Sequence, residues 1–159
     1  DPDAIGYRLP PEADWAWAAR IRPDGSITRF PWGDSRLPPA NRLGNFADRA
    51  ASHLLARTIP DYLDGQAVTG PVAGFDANGR GFHDLGGNVA EWVNDFYGAT
   101  AEDLPSGVAD PLGPGRGEYH VIRGSSWMHG QLVDLRWTFR DYGNQGRDDV
   151  GFRIARWLE

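Results

Sequence analysis

Glycine and proline punctuate this chain throughout, and their density is the feature that most restricts its fold. The 159 residues include Gly 21 and Pro 12, about one residue in five, against about 12% in average proteins. Because both residue types interrupt helices and strands, this density predicts many turns and short elements and argues against a helical bundle. Trp 7 and 12% aromatic residues argue equally against a disordered chain. We expect one folded, loop-rich domain over residues 1–159, since this length suits a single domain.

A few segments carry recognisable secondary-structure signals. Pro10 and Pro11 followed by Glu12 predict the start of a helix over residues 7–20, because fixed φ angles and an early acid suit a helix N-terminus. Apolar residues at helical spacing predict a second helix over residues 45–55. Few helices, short strands and long loops indicate an α+β domain. The expected strands are residues 119–123, 135–139 and 152–157, with a short strand or turn at 90–96 and one further strand at 67–68 or 72–73.

The absence of cysteine and the acidic charge exclude several classes of function. With Cys 0 the chain forms no disulfide, thiolate zinc site, iron–sulfur cluster or cysteine nucleophile. The formal net charge of -6 argues against a nucleic-acid groove, which needs clustered lysine and arginine. No apolar run approaches the roughly 20 residues of a membrane-spanning helix. We therefore expect neither nucleic acid nor a membrane span.

The histidines and serines leave two catalytic alternatives open. None of the four histidines stands in an HxH or HExxH spacing, so no zinc motif is present. His120, His129 and Asp134 could form a two-histidine, one-carboxylate iron site, although their spacing carries little information. A serine hydrolase built on Ser125 or Ser126 is the weaker alternative, because the G-x-S-x-G elbow is missing.

Arginines alternate with aromatic residues in the last third of the chain. The ordinary interpretation is a set of structural arginine–carboxylate pairs with ring stacking. The sharper interpretation is a binding surface for anionic or peptide ligands. The residues are Arg123, Arg136, Arg140, Arg147 and Arg153, with Trp127, Trp137, Phe139, Tyr142 and Phe152.

Oxygen-bearing side chains stand beside glycines in the middle of the chain. Residues 84–91 place two acids around a glycine turn, which is a plausible half of a cation cage. Hard cations such as Ca²⁺ take roughly six to eight oxygen ligands, including loop carbonyls. The ordinary alternative is that these acids cap turns and face water. The residues concerned are Asn45, Asp64, Asp84 and Glu91.

Six short motifs occur in an order that covers nearly the whole chain. They are YRLPPEADW (7–15), PWGD (31–34), GFHDLGGNVAEW (81–92), DPLGP (110–114), RGSSW (123–127) and GFR (151–153). In content and order they resemble the RLPTEAEW, YPWGD, GLYDMxGNVWEW, DPxGP, RGGSW and GFR motifs of the formylglycine-generating-enzyme family, the sulfatase-modifying factors. The resemblance implies an irregular C-type-lectin-like fold with few helices and short antiparallel strands, ordered by calcium.

The same resemblance implies one or two calcium ions and names their ligands. The first set, here the Asp84 site, is Asp84, the carbonyls of Gly87 and Val89, and Glu91. The second set, here the Asn45 site, is Asn45, the carbonyl of Phe46, Asp64 and the carbonyl of Gln66. Calcium dependence would favour an extracytoplasmic location, and the compartment is otherwise open.

The departures from the family pattern change the expected function. The family's generating enzymes hold copper with two cysteines after the RGGSW motif, and those positions fall on His129 and Asp134 here. Imidazole and carboxylate do not replace thiolates for Cu(I), so we expect no copper and no formylglycine generation. Ala90 and Val133 also replace aromatic residues of the family's pocket. Because the resemblance begins at the RLPTEAEW motif, we expect this sequence to lack the family's N-terminal strands, which leaves open whether it is part of a longer protein or complex.

We interpret the chain as a non-catalytic, calcium-stabilised domain that binds a protein, peptide or small molecule or serves a structural role. The alternative is an iron- or copper-dependent oxidoreductase related to formylglycine-generating enzymes or sulfoxide synthases. We expect His129 and Asp134 to line one shallow depression, with Asp134 in contact with Arg136 or His129. By analogy with lectin-like variable proteins, the expected ligand surface is Ser126, Trp127, His129, Gln131, Asp134, Arg136 and Trp137.

Overall fold

Regular structure is sparse, as the density of glycine and proline predicts. The computed structural model describes residues 6–39, 43–98 and 111–156. Turns and loops join the short elements and account for most of this part of the chain, so the expected α+β class is confirmed. In these ranges the elements are helix α1 (Glu12–Arg20), a 3-10 turn (Arg49–Ala51), and strands β1 (Ala90–Phe96), β2 (His120–Arg123), β3 (Arg140–Gly143) and β4 (Val150–Phe152).

The four strands form one mixed sheet in the order β3-β2-β1-β4. Strand β2 runs antiparallel to both β1 and β3, as expected. Strand β4 lies parallel to β1, so the expectation of antiparallel strands alone is wrong for this pair. Strand β1 places Glu91 opposite Arg123 of β2 on one side and opposite Gly151 of β4 on the other. The sheet thereby joins the GFHDLGGNVAEW, RGSSW and GFR motifs.

Helix α1 begins at Glu12, later than the expected start at residue 7. Pro11 is its N-cap with ψ of 152°, and a residue before a proline avoids the helical region, so the helix does not extend back through Pro10. The Glu12 amide donates to Oδ2 of Asp95 at 2.7 Å. A carboxylate from β1 therefore caps the positive end of the helix dipole.

The second expected helix, over residues 45–55, is wrong apart from the single turn Arg49–Ala51. The backbone of this segment bonds to distant loops instead of to itself. Ala47 donates to the carbonyl of His129 at 3.0 Å and accepts from the amide of Ile59 at 2.7 Å. The carboxylate of Asp48 accepts from the amide of Ala50 at 2.6 Å and so caps the short turn. These backbone hydrogen bonds to distant residues prevent the helix that the apolar periodicity predicts.

Three strand expectations also need correction. Residues 135–139 form turns, because the Trp137 amide donates to the carbonyl of Arg29 at 2.9 Å and β3 begins only at Arg140. Residues 67–68 and 72–73 are not strands, and Ala73 adopts a φ of 57° that no strand residue has. Strand β4 ends where the expected strand over 152–157 begins, and residue 157 lies outside the described residues.

Two apolar clusters form the core of the described part of the chain. Trp15 and Trp137 meet edge to face in the first cluster, with ring centroids 6.3 Å apart. Phe46 packs against Tyr62 at 5.7 Å in the second. No helix in the described part of the chain is long and apolar enough to cross a membrane. The clusters are Trp15, Ala18, Ala19, Leu85, Val93, Val121 and Trp137, and Phe30, Phe46, Ile59, Tyr62 and Leu135.

Candidate functional site

Two loops, residues 44–46 and 86–88, interlock in the middle of the molecule. The Asn88 amide donates to the carbonyl of Asn45 at 2.8 Å. A Cβ added at Gly44 would lie 2.6 Å from the carbonyl oxygen of Gly86, and one at Gly87 would lie 2.7 Å from that of Asn45. Only glycine permits such a close approach, and Gly87 also has a φ of 98°. The glycines therefore bring the two expected calcium sites next to each other.

In the expected Asn45 site, Asp64 lies beside Phe46, the residue that follows Asn45. Asn45 is fully buried, and its Nδ2 donates to the carbonyl of Val68 at 2.7 Å. Asp64 is also buried, and its carboxylate accepts from the amides of Phe46 at 3.0 Å and Gln66 at 2.7 Å. Oδ1 of Asn45 is buried without a hydrogen-bond partner. A buried acceptor that makes no bond is costly, so this oxygen fits a cation ligand.

The two acids of the Asp84 site differ in their hydrogen bonding: one oxygen of Asp84 has no partner, whereas both oxygens of Glu91 accept hydrogen bonds. Asp84 adopts a left-handed φ of 55°; its Oδ2 accepts from the Ala73 amide at 2.6 Å, while its Oδ1 is buried without a partner. Glu91, by contrast, has both oxygens engaged. Arg153 donates to Oε1 and to Oε2, each at 2.6 Å, and Trp15 Nε1 donates to Oε2 at 2.7 Å. A cation at this site would share Glu91 with Arg153.

The alternative of an iron site at His120, His129 and Asp134 finds no support within the ranges the structure describes. These residues contain no group of three His, Asp or Glu side chains arranged to hold a metal ion. His120 lies on β2 against the ring of Phe96, whereas His129 packs against Phe139. A calcium cage does not depend on such a group, because amide and carbonyl oxygens supply much of its coordination.

His129 occupies a partly buried position beneath the RGSSW turn. Its Nδ1 accepts from the Ser126 amide at 3.0 Å. Burial is the largest influence on this imidazole and lowers its pKa, although Asp134 and Asp149 act in the opposite direction. Ser126 Oγ donates to Oδ2 of Asp149 at 2.9 Å. Because the acid binds the serine and not the histidine, and Ser126 is fully buried, these residues do not form a hydrolase relay.

The expected contact of Asp134 is wrong in the described structure. Asp134 makes no ion pair within 4.0 Å with Arg136 or with His129 there. Its amide closes a turn to the carbonyl of Gln131 at 2.9 Å, and Nε of Arg136 donates to the carbonyl of Val133 at 3.2 Å. Asp134 and Arg136 therefore each bond to the backbone of this turn and not to each other.

The seven residues of the expected ligand surface do not share one environment. Ser126, Trp127 and Trp137 are buried, so these three residues do not present an exposed face to a ligand. Nε1 of Trp137 donates inward to Thr28 at 3.3 Å. His129 and Asp134 are half-buried, and only Gln131 and Arg136 are exposed.

A groove that sequence reasoning missed lies beside Arg136. Its volume is about 440 Å³. No local pattern connects its two walls, because Arg29 and Arg136 are distant in sequence. Their segments are joined by the hydrogen bond from the Trp137 amide to the Arg29 carbonyl and by that from Trp137 Nε1 to Thr28. The lining residues are Arg29, Phe30, Arg36, Leu132, Val133 and Arg136, and we call this surface the arginine groove.

Comparison with known proteins agrees with this arrangement of motifs. The family model described as "Sulfatase-modifying factor enzyme 1-like domain" matches residues 3–158. The chain belongs to this family. The formylglycine-generating enzyme of Streptomyces coelicolor is 37% identical over 154 residues, which cover 94% of this chain and 46% of the enzyme. Serine/threonine-protein kinase pkn1 of Chlamydia caviae is 31% identical over 96% of this chain and 21% of the kinase.

Solved structures of similar proteins support the fold. PvdO from Pseudomonas aeruginosa has a TM-score of 0.68 and 30% identity over 96% of this chain and 53% of its own. Treponema denticola variable protein 1 has a TM-score of 0.69 and 26% identity, over 97% and 49% respectively. The chain thus spans less than half the length of the curated relatives it matches and about half of these structures.

Proposed function

We propose that this sulfatase-modifying-factor domain is a non-catalytic, calcium-stabilised module that binds a ligand or another protein. The observation that carries the proposal is the lack of any cysteine in the sequence. His129 and Asp134 occupy the places where the resembling enzymes carry reactive cysteines. His129 is committed to the Ser126 amide, and no third His, Asp or Glu in the described residues completes a metal group with them.

Calcium has a structural role in this proposal. The unpartnered oxygens of Asn45 and Asp84 would serve as ligands, together with Asp64, Glu91 and the loop carbonyls named from the family resemblance. The ion would supply positive charge where buried oxygens lack a donor and would connect loops that are far apart in sequence. We infer that the Asn45 site binds calcium more tightly, because the side chains of Asn45 and Asp64 are both fully buried whereas Glu91 is already paired with Arg153.

The size of the matched region in relatives supports a modular role. In the kinase pkn1 of Chlamydia caviae the matching region covers 21% of the protein, so a domain of this kind occurs within a much longer chain. We infer that a domain of this kind serves to bind a partner for the longer chain that contains it. This interpretation assigns the exposed surface after the RGSSW motif to recognition.

The catalytic alternative is tested with a peptide that carries a sulfatase modification motif. We expect no conversion of its cysteine to formylglycine, with or without added copper, because the chain has no thiolate to bind Cu(I). Mass spectrometry of the peptide measures the product, and a formylglycine-generating enzyme assayed in parallel is the positive control. Detection of the aldehyde with this domain would overturn the non-catalytic proposal.

A further inference from the structure

The arginine groove combines three exposed guanidinium groups with an apolar floor. Arg29, Arg36 and Arg136 line it, and all three are exposed. Phe30 is buried beneath them, while Val133 is 48% exposed and presents its apolar side chain to the groove. Among the residues that the structure describes, no carboxylate belongs to the lining. Positive charge and apolar surface therefore occur together in one depression.

These arginines differ from the arginines around the sheet, because they form no ion pair with an acid in the described part of the chain. Arg123, Arg140, Arg147 and Arg153 each lie within 4.0 Å of a carboxylate. Across the described residues, the three guanidinium groups of the groove form no such pair. The nearby acid Asp34 is engaged by a backbone amide, that of Arg29, at 2.9 Å.

Such a local surplus of positive charge stands out in a chain of net charge -6. Guanidinium groups that no internal acid neutralises are available to an external one. The surplus therefore points to an anionic partner.

The walls of the groove are held in place before any ligand binds. Phe30 pairs with Gly33 through two backbone hydrogen bonds of 2.9 and 3.0 Å. Its ring stacks on Trp32 with centroids 5.0 Å apart. The carbonyl of Arg29 accepts from the Trp137 amide at 2.9 Å, which connects one wall to the other. Preorganisation of this kind lowers the entropy cost of binding.

We propose that the arginine groove binds an acidic peptide segment of a partner protein, in which glutamate or aspartate alternates with aliphatic residues. This inference rests on the proposed role as a binding module and names the chemistry of its partner. Guanidinium groups form paired hydrogen bonds with carboxylates, and the floor of Phe30, Leu132 and Val133 accepts aliphatic side chains. A nucleic acid would meet the repulsion of an acidic domain, and a free phosphate would leave the apolar floor unused.

The test measures binding of a fluorescein-labelled peptide that alternates glutamate with leucine, by fluorescence polarisation, to the calcium-loaded domain. We expect saturable binding that weakens at least fivefold between 50 and 300 mM NaCl, because screening of exposed charges increases over this range. The triple variant R29Q/R36Q/R136Q is expected to lose at least tenfold in affinity. The control R49Q/R116Q/R156Q removes the same charge from exposed arginines elsewhere and is expected to bind within twofold of the original domain.

Several outcomes would overturn the inference. They are a lack of binding, equal binding of a peptide with glutamine in place of glutamate, and unchanged affinity of the groove variant. Competition by inorganic pyrophosphate together with equal binding of a peptide whose leucines are replaced by serine would indicate a free-anion site and would also overturn it. Near-ultraviolet circular dichroism verifies that each variant is folded. The non-catalytic proposal is judged separately by the formylglycine assay, so the two failures are distinguishable.

Discussion

Arg153 binds both carboxylate oxygens of Glu91 through Nε and Nη2, each at 2.6 Å. Trp15 Nε1 donates to the same carboxylate at 2.7 Å. Three motifs that are far apart in the sequence, YRLPPEADW, GFHDLGGNVAEW and GFR, therefore meet in one buried cluster around Glu91. The cluster connects helix α1, strand β1 and the segment that follows β4.

Replacement of Glu91 by glutamine should destabilise the domain strongly. E91Q leaves the Arg153 charge without its carboxylate in a mostly buried position. We expect a loss of about 2–3 kcal/mol in the free energy of unfolding, below the 3–5 kcal/mol typical of fully buried pairs because Arg153 is partly exposed. Urea unfolding at pH 7.5 measures it. The control E118Q changes an exposed acid and should stay within about 0.5 kcal/mol; equal stability of the two variants would contradict the role of the cluster.

Replacement of Gly87 by alanine should disrupt the interlocked loops. The new Cβ would lie 2.7 Å from the carbonyl oxygen of Asn45, at a φ of 98° that disfavours any side chain. We expect the free energy of unfolding to fall by about 2 kcal/mol or more, because backbone strain and overpacking both destabilise the variant. Gly115 has nothing within 4 Å of an added Cβ, so G115A is the matched control and should be neutral. Thermal melting of both variants decides, and an unchanged Tm for G87A would refute the close approach.

His129 should make the free energy of unfolding depend on pH. We expect this free energy to fall as the pH drops below about 6.5, the ordinary pKa of histidine. Burial lowers the pKa of this imidazole in the folded state, so the unfolded chain binds the proton more readily. The contribution of neutral His129 is complete above pH 6.5 and is lost as the pH falls toward the lowered folded pKa. Asp134, Asp149 and Asp141 oppose this shift without reversing it.

The variant H129N isolates this histidine from other acid effects. Asparagine keeps an acceptor for the Ser126 amide but does not titrate. We expect the difference in urea midpoint between pH 7.5 and 5.5 to be smaller in H129N than in the original domain. H53N alters an exposed histidine and should leave the difference unchanged. If this difference in urea midpoint is as large in H129N as in H53N, protonation of His129 does not cause the loss of stability in acid.

The motifs predicted more of the fold than the periodicities did. The resemblance associated the segment after Asn45 with that around Asp64, and the hydrogen bond from the Phe46 amide to the Asp64 carboxylate joins these segments. Periodicity failed at residues 45–55 and 135–139, because Ala47 and Trp137 give their backbone groups to distant loops. Local patterns carry no information on such partners. For the same reason the sequence gives no sign that Arg29 and Arg36 lie beside Arg136.

Calcium removal tests the central claim most directly. At a free calcium concentration of about 100 times the Kd, each ion would stabilise the folded state by about 2.7 kcal/mol, which corresponds to several degrees of Tm in a domain of this size. N45A should reduce the calcium-dependent part of the Tm, since it removes the buried unpartnered oxygen.

The deciding measurement is differential scanning calorimetry of the domain in excess chelator and after calcium is restored, with elemental analysis of the purified protein. The account predicts a Tm lower by several degrees in chelator, full recovery with calcium, and one or two calcium ions per chain. An identical melting curve in chelator, together with no calcium in the elemental analysis, would contradict it.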